Sequence, residues 1–504
     1  MANPSLQIGN SNWAIKKDNL LGYSSSGTRF FPIPITMTRA SAGTRVNPQG
    51  LVETVELLGS EEVTNGDFAS GTTGWSVSYS GTLNNTGNAL NVVAIGVNDT
   101  RAATSITTVI GKIYKYVADI TQVQSTVTNL AVSNNSNLDG AFVNGSNITT
   151  PENGVTVFFT ATATTTYIGF KRGGSAATGI TNIYDNVSVK EYAINNLARV
   201  DYTGSTSSLL AEPQRTNLIT YSEDFSQWIA NGVSLDYNQG TSPDGLSNAT
   251  RLHTLTDGNL YVASANTSFE NTISFYVKSN NQSKDNFQLR LGGTTTNYTA
   301  TSDWVKYTYT TTPNSTVAAI RNVPSEDLDV LIYGAQLEEG SYATSYIPTD
   351  GSTVTRVQDQ YSKTGISDKI NSEEGTLFVE MAALANDGTY RYVLLSDGAT
   401  ANMIQIRYSD VSNNIQALVY SSSVLQAFTS YTPTDTTSFH KMAFKYKEND
   451  FALWVDGTEV GTATSGIPPI NLSSLDFQSY FGKVKQLQVF KTALTDSELA
   501  TLTT

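Results

Sequence analysis

The constraint that most limits this fold is a plan written twice. Residues 209–228, LLAEPQRTNLITYSEDFSQW, end a connecting segment and open a folded module. Leu209 and Leu210 anchor the connection, Pro213 blocks a helix through it, and Ser222-Glu223-Asp224 forms a polar turn before the apolar Phe225 and Trp228. The same plan stands at residues 57–75, where Leu57 and Leu58 precede a polar stretch and Val63-Thr64-Asn65-Gly66-Asp67-Phe68 leads to Trp75. Both copies also close alike, on Asp185-Asn186-Val187-Ser188-Val189-Lys190-Glu191 and on Gly334-Ala335-Gln336-Leu337-Glu338-Glu339-Gly340, each read as a last strand returning beside the first. An internal repeat of this kind implies two modules of one fold. Arginine recurs at Thr38-Arg39-Ala40, Ala198-Arg199-Val200-Asp201 and Thr355-Arg356-Val357-Gln358-Asp359, at domain-sized intervals of roughly 160 residues, and three modules follow.

Each module reads as strands. Ile113, Lys115 and Val117 alternate with Tyr114, Tyr116 and Ala118, and Val155, Val157 and Phe159 share a face. In the second copy Ile273, Phe275 and Val277 alternate with Ser274, Tyr276 and Lys278, so one face is buried and the other wet. Residues 403–408, 415–420 and 442–446 continue the pattern in the third, and Asp456-Gly457 supplies a hairpin turn after Phe451, Leu453 and Val455. Thr495 and Glu498 form a capping box for a short C-terminal helix, with Leu494 stapled to Leu499. The expected fold class is all-β, antiparallel sandwiches of jelly-roll type, with boundaries at 1–51, 52–195, 196–358 and 359–504.

Residues 1–51 carry prolines at 4, 32, 34 and 48 and no sustained helical period, which reads as an extended arm. Trp13, Ile15, Leu20, Leu21, Phe30 and Phe31 are its apolar anchors, expected to attach the chain to a larger assembly. Net charge is −14, from 44 acidic and 30 basic residues without a basic run, which argues against nucleic acid. The absence of cysteine removes disulfides, thiolate metal sites and thiol nucleophiles. No apolar stretch accompanies Lys16 and Lys17 as a secretory signal would, and residues 30–35 are too short to cross a bilayer, so no membrane insertion is expected.

The phrases LLAEPQRTNLITYSEDFSQW and YGAQLEEGSYATSYIPT closely resemble a jelly-roll module of tailed-phage structural proteins. NGDF with Trp75, and YDNVSVKE, resemble the related carbohydrate-binding jelly rolls. The order Phe444, Leu453-Trp454-Val455-Asp456-Gly457, Gly482-Lys483-Val484, Leu487-Gln488-Val489-Phe490 resembles the laminin-G, concanavalin-type sandwich, and Thr492 to Leu499 resembles that family's C-terminal end. The resemblances imply a virion-surface protein assembled in the bacterial host cytoplasm. It would be a tail fibre or receptor-binding protein that contacts host-surface polysaccharide and joins other virion proteins through its arm. A capsid-bound head fibre or decoration protein is the alternative, and a polysaccharide depolymerase the third reading. The fibre analogy implies a homo-oligomer, with a trimer as the expected form.

Catalytic parts are scarce. His253 and His440 fall in different modules, Glu380 stands alone on its strand, and the consecutive Glu338 and Glu339 face opposite sides, so no enzyme is expected. No cofactor is required. Calcium is a candidate ligand for oxygen-rich loops, with Asp397 and Asp410, beside Asn413 and Asn414, as its candidate residues. Sugar recognition needs aromatic faces and amide side chains, for which Tyr392, Asn402, Tyr408 and Tyr420 are the candidates. Trp75, Trp228, Trp304 and Trp454 are assigned to cores.

Overall fold

The computed structural model describes residues 3–10, 13–26, 29–96, 99–173, 178–204, 206–254, 257–477 and 480–504, without the side chains of residues 25, 26, 29 and 30. It is all-β, with one α-helix, Asp496–Thr503, among the described residues. The chain divides into two compact units, Glu56–Ala193 and a larger one made of Met1–Val55 with Ile194–Thr504.

The repeat extends to the order of ten strands, to which the first copy adds Leu57–Glu61 beside its last strand. Ten strands run from Ser76–Tyr79 to Thr181–Ala193 in the first copy, and ten from Ile229–Asn231 to Leu328–Glu339 in the second. In both, one sheet has the order eighth, fifth, tenth, third, second, and the other the order seventh, sixth, ninth, fourth, first. Trp75 and Trp228 stand just before the first strands and fill the two cores. The indole of each is tied back to the leading loop, Trp75 Nε1 to the Asn65 carbonyl at 3.4 Å and Trp228 Nε1 to the Tyr221 carbonyl at 2.9 Å.

The C-terminal sandwich departs from its expected boundary. Strand Gly482–Phe490 pairs with Glu374–Ala383 on one side and, on the other, with both Leu6–Gly9 and Ser208–Ala211. Leu6–Gly9 also pairs with Asn19–Ser26. Leu6, Ile8, Leu20, Ile35, Met37 and Leu209 are buried in one core with Leu377, Leu487 and Val489. Residues 1–51 are therefore no arm lacking a core. Their prolines misled because Pro32 and Pro34, two residues apart, direct their missing N–H groups to the same side of the strand. That strand, Arg29–Thr38, has Asn19–Ser26 as its one partner at these residues and meets Gln360–Lys363 at Thr36 to Thr38 only.

The C-terminal helix has the expected capping box, with Thr495 Oγ1 accepting from the Glu498 N–H and Glu498 accepting from the Thr495 N–H at 3.0 Å. Leu494 and Leu499 are buried together beneath Trp454.

Candidate functional site

The site starts from strand alternation in the second jelly roll. Ile273, Phe275 and Val277 enter its core, so Tyr276 and Lys278 point out of the sheet. On the neighbouring strand, Val305–Thr311, Lys306 is registered opposite Tyr276, and Trp304 lies two residues back on the same outward face. The sequence pairs Tyr276-x-Lys278 and Trp304-x-Lys306 thus place two aromatic rings and two ammonium groups alternately over one patch.

Connecting segments wall this patch into a cleft of about 780 Å³. One wall is the hairpin of Thr44–Val46 and Val52–Thr54; others are Tyr202, Pro243 and residues 343–346. Trp304 is half-buried, its Nε1 donating to the Thr241 carbonyl at 2.9 Å, which fixes the ring while leaving part of it open. Lys306 Nζ donates to the Thr344 carbonyl at 2.6 Å and lies 5.8 Å from the Tyr276 ring centroid. Burial pulls the Lys306 ammonium below its ordinary value, opposed by Glu338 and Glu212.

Behind the cleft lies a buried ion network. Arg39, Arg199 and Arg356, which the sequence suggested as markers of repeating modules, converge here instead. Arg39 bonds Asp359 at 2.6 Å, Arg199 bonds both Asp359 and Glu212, the latter at 2.6 Å, and Arg356 reaches Glu212 at 3.0 Å. Burial alone would raise the Glu212 carboxyl, but Arg356 and Arg199 override it and hold it far below the ordinary range. Asp359 behaves likewise under Arg199 and Arg39. The network also sets the cleft wall: Ser345 donates its N–H and its hydroxyl to Glu212, both at 2.7 Å, and the Thr344 N–H donates to Glu338 at 2.9 Å. Four connecting segments are thereby locked together, because losing any member strands a charge without water.

The sugar-site residues expected in the third module do not form one site. Tyr408 is 2% exposed, its hydroxyl donating to the Met381 carbonyl at 2.9 Å; it shares the core-facing side of its strand with Ile404 and Ile406. Tyr392 and Tyr420 are half-buried on the outer face, but Tyr392 pairs with Arg407 and Tyr420 with Met403, four positions apart. Asn402 is spent on turns, donating to Asp397 and accepting from the Ser422 N–H. Asp397 and Asp410 close opposite ends of one hairpin, so they cannot share an ion, and Asp397 already accepts from the Ala399 N–H. Among the described residues no three His, Cys, Asp or Glu side chains gather where a metal could be held.

Of the proposed attachment residues, Leu20 is fully buried and Trp13 and Ile15 pack against the same core, while Leu21 is half-buried. Phe31 is 52% exposed, and the Phe30 side chain lies outside the described residues. His253 sits 3.2 Å from Asp236, and His440 lies between Asp456 and the Asp435 carbonyl, each within its own sandwich. Glu338 is buried and Glu339 exposed, on opposite faces as alternation requires.

Trp75, Trp228 and Trp454 are core residues, but Trp304 is not. Its place was legible: it shares parity with Lys306, not with the inward Tyr307 and Tyr309.

No family model matches the chain, and no curated protein matches it. Among solved structures, the chain is similar to the CBM40 of a Ruminococcus gnavus sialidase, in complex with α2,3-sialyllactose, at 11% identity and TM-score 0.24, covering 27% of this chain and 84% of that one. It is also similar to domain 4 of AbnA, a GH43 extracellular arabinanase from Geobacillus stearothermophilus in complex with arabinotriose, at 12% identity and TM-score 0.25, covering 33% and 84%. A third similar structure is galectin LEC-6 of Caenorhabditis elegans, at 9% identity and TM-score 0.21, covering 25% and 88%.

Proposed function

We propose that this chain is a non-catalytic glycan-binding protein of a phage particle surface, a tail fibre or receptor-binding protein that engages host polysaccharide through the cleft on its second jelly roll. The observation that carries the reading is the pinned Trp304 ring beside Tyr276, Lys278 and Lys306 in a cleft of about 780 Å³. A pyranose can lay its C–H face on the indole while its hydroxyls meet ammonium and carbonyl groups, as small-ligand sites require. The buried ion network makes the walls rigid, so little ordering is lost on binding.

The virion assignment rests on the phage-like wording of residues 209–228 and 333–349. Contact with other virion proteins falls to exposed positions such as Phe31, since Leu20, Trp13 and Ile15 are engaged internally. Display as a homo-oligomer, a trimer on the fibre analogy, raises weak single-site binding by avidity of on the order of 10² to 10⁴. The test is retention of assembled protein on immobilised host polysaccharide. Trp304→Ala should lose binding at least about tenfold, equivalent to about 1.4 kcal/mol, with unfolding unchanged; undiminished retention overturns the cleft. Wild type that decorates particles but retains no polysaccharide returns the chain to the head-decoration reading.

A further inference from the structure

The cleft carries a charge imbalance that names the class of its ligand. The network and its neighbours hold four cations, Arg39, Arg199, Arg356 and Lys306, against three carboxylates, Glu212, Asp359 and Glu338. The surplus falls on Lys306, which lines the cleft together with Glu212, whose carboxylate is already held by Arg199 and Arg356. Lys306 has no carboxylate within ion-pair distance among the described residues, and its one hydrogen bond is to a neutral carbonyl. Lys278, on the adjacent strand and the same face, is paired through its backbone with Leu331, while its ammonium has no hydrogen-bond or ion-pair partner among the described residues.

The other cations of the cleft are already committed. Lys483 bonds Asp201 at 2.9 Å, and Arg45 bonds Glu53 at 2.9 Å. Two ammonium groups therefore remain for a ligand. Leaving a desolvated charge unpaired is costly, and a bound anion removes that cost. The aromatic neighbours restrict the anion further, because a free inorganic ion has no apolar face to lay on Trp304. An overall charge of −14 repels polyanions from the remaining surface, so recognition of an acidic polymer would be confined to this point.

We infer that the ligand is an acidic saccharide, a hexuronate-bearing glycan whose carboxylate is held by Lys278 and Lys306 while its pyranose face lies on Trp304. The inference rests on the cleft being the glycan site and adds the ligand's charge.

The test titrates the full-length protein with galacturonate, glucuronate and mannuronate tetramers and with their carboxyl-reduced, neutral counterparts. At least one acidic tetramer should bind ten-fold or more tighter than its neutral form. That preference should shrink between 50 and 500 mM salt, as screening of a carboxylate–ammonium contact requires. Lys306→Met and Lys278→Met should each bring the ratio to within about twofold while weak neutral binding persists, and Lys306→Arg should retain most of it. Trp304→Ala should weaken acidic and neutral forms alike. Equal affinity of wild type for every acidic tetramer and its neutral form overturns the acid preference and leaves the glycan reading standing. Failure of wild type to bind any tetramer at millimolar concentration overturns the acid preference, and loss of retention on immobilised host polysaccharide as well overturns the glycan reading.

Discussion

The two jelly rolls share an interior and differ outside. In the closing strands Tyr184, Val187 and Val189 enter the first core just as Ile332, Ala335 and Leu337 enter the second. Between them stand Asn186 at φ +50° and Gly334 at φ +61°, each at a bulge where the register against the fifth strand shifts. The outward residues diverge. Asp185, Ser188 and Lys190 in the first copy become Tyr333, Gln336 and Glu338 in the second, where the ion network and cleft are built. The first copy's outer face keeps Ile113 and Phe158 exposed. The core-facing half of each strand is what repeats; the opposite half, covered in the second copy so that Tyr333, Gln336 and Glu338 are buried, has acquired a separate task.

The largest separation between the copies should come from the ion network. Asp359→Asn strands Arg39 and Arg199 and should destabilise the larger unit by about 3–5 kcal/mol, leaving the unfolding transition of Glu56–Ala193 unmoved. Denaturant unfolding followed by site-specific probes in each unit reads this directly, and equal shifts in both would show that the network does not act on the larger unit selectively.

Acid should separate them next. Glu212 and Asp359 have folded pKa values below their unfolded ones, so their stabilisation is complete above the unfolded carboxylate range of about 4 and is lost as pH falls through the folded values. Between pH 6 and pH 2 the larger unit should lose stability faster than Glu56–Ala193.

A smaller effect distinguishes the bulges. Gly334→Ala should cost about 1–2 kcal/mol, since the residue is left-handed and a Cβ would meet the Tyr276 and Tyr346 rings at 3.3 Å. Asn186→Gly should be nearly neutral, because asparagine already tolerates that conformation. Smallest is Thr495→Ala, expected to cost about 1 kcal/mol by removing the helix cap.

What was legible in the sequence follows from the range of the interactions. Local rules sufficed for the alternating strands, the capping box and the Asp456-Gly457 turn, whose residues adopt φ +49° and +81° as a two-residue hairpin requires. The paired Trp75 and Trp228 were legible because repetition exposed them. The convergence of Arg39, Arg199 and Asp359 was not, because the partners are up to 320 residues apart and nothing local distinguishes a buried arginine from a solvated one. The N-terminal strands were missed because proline was weighed without its edge position. The cleft was half visible: the aromatic and cation pairs can be read from residues 276–278 and 304–306, but the walls that enclose them come from distant connections.

The most direct test is hydrogen exchange across the full chain, with and without saturating acidic tetramer. Binding at the cleft predicts added protection in Asn271–Ser279, Val305–Thr311 and residues 343–346, and none in Glu56–Ala193. Protection confined to the first jelly roll, or to the strands bearing Tyr392 and Tyr420, would place the binding site elsewhere than this cleft.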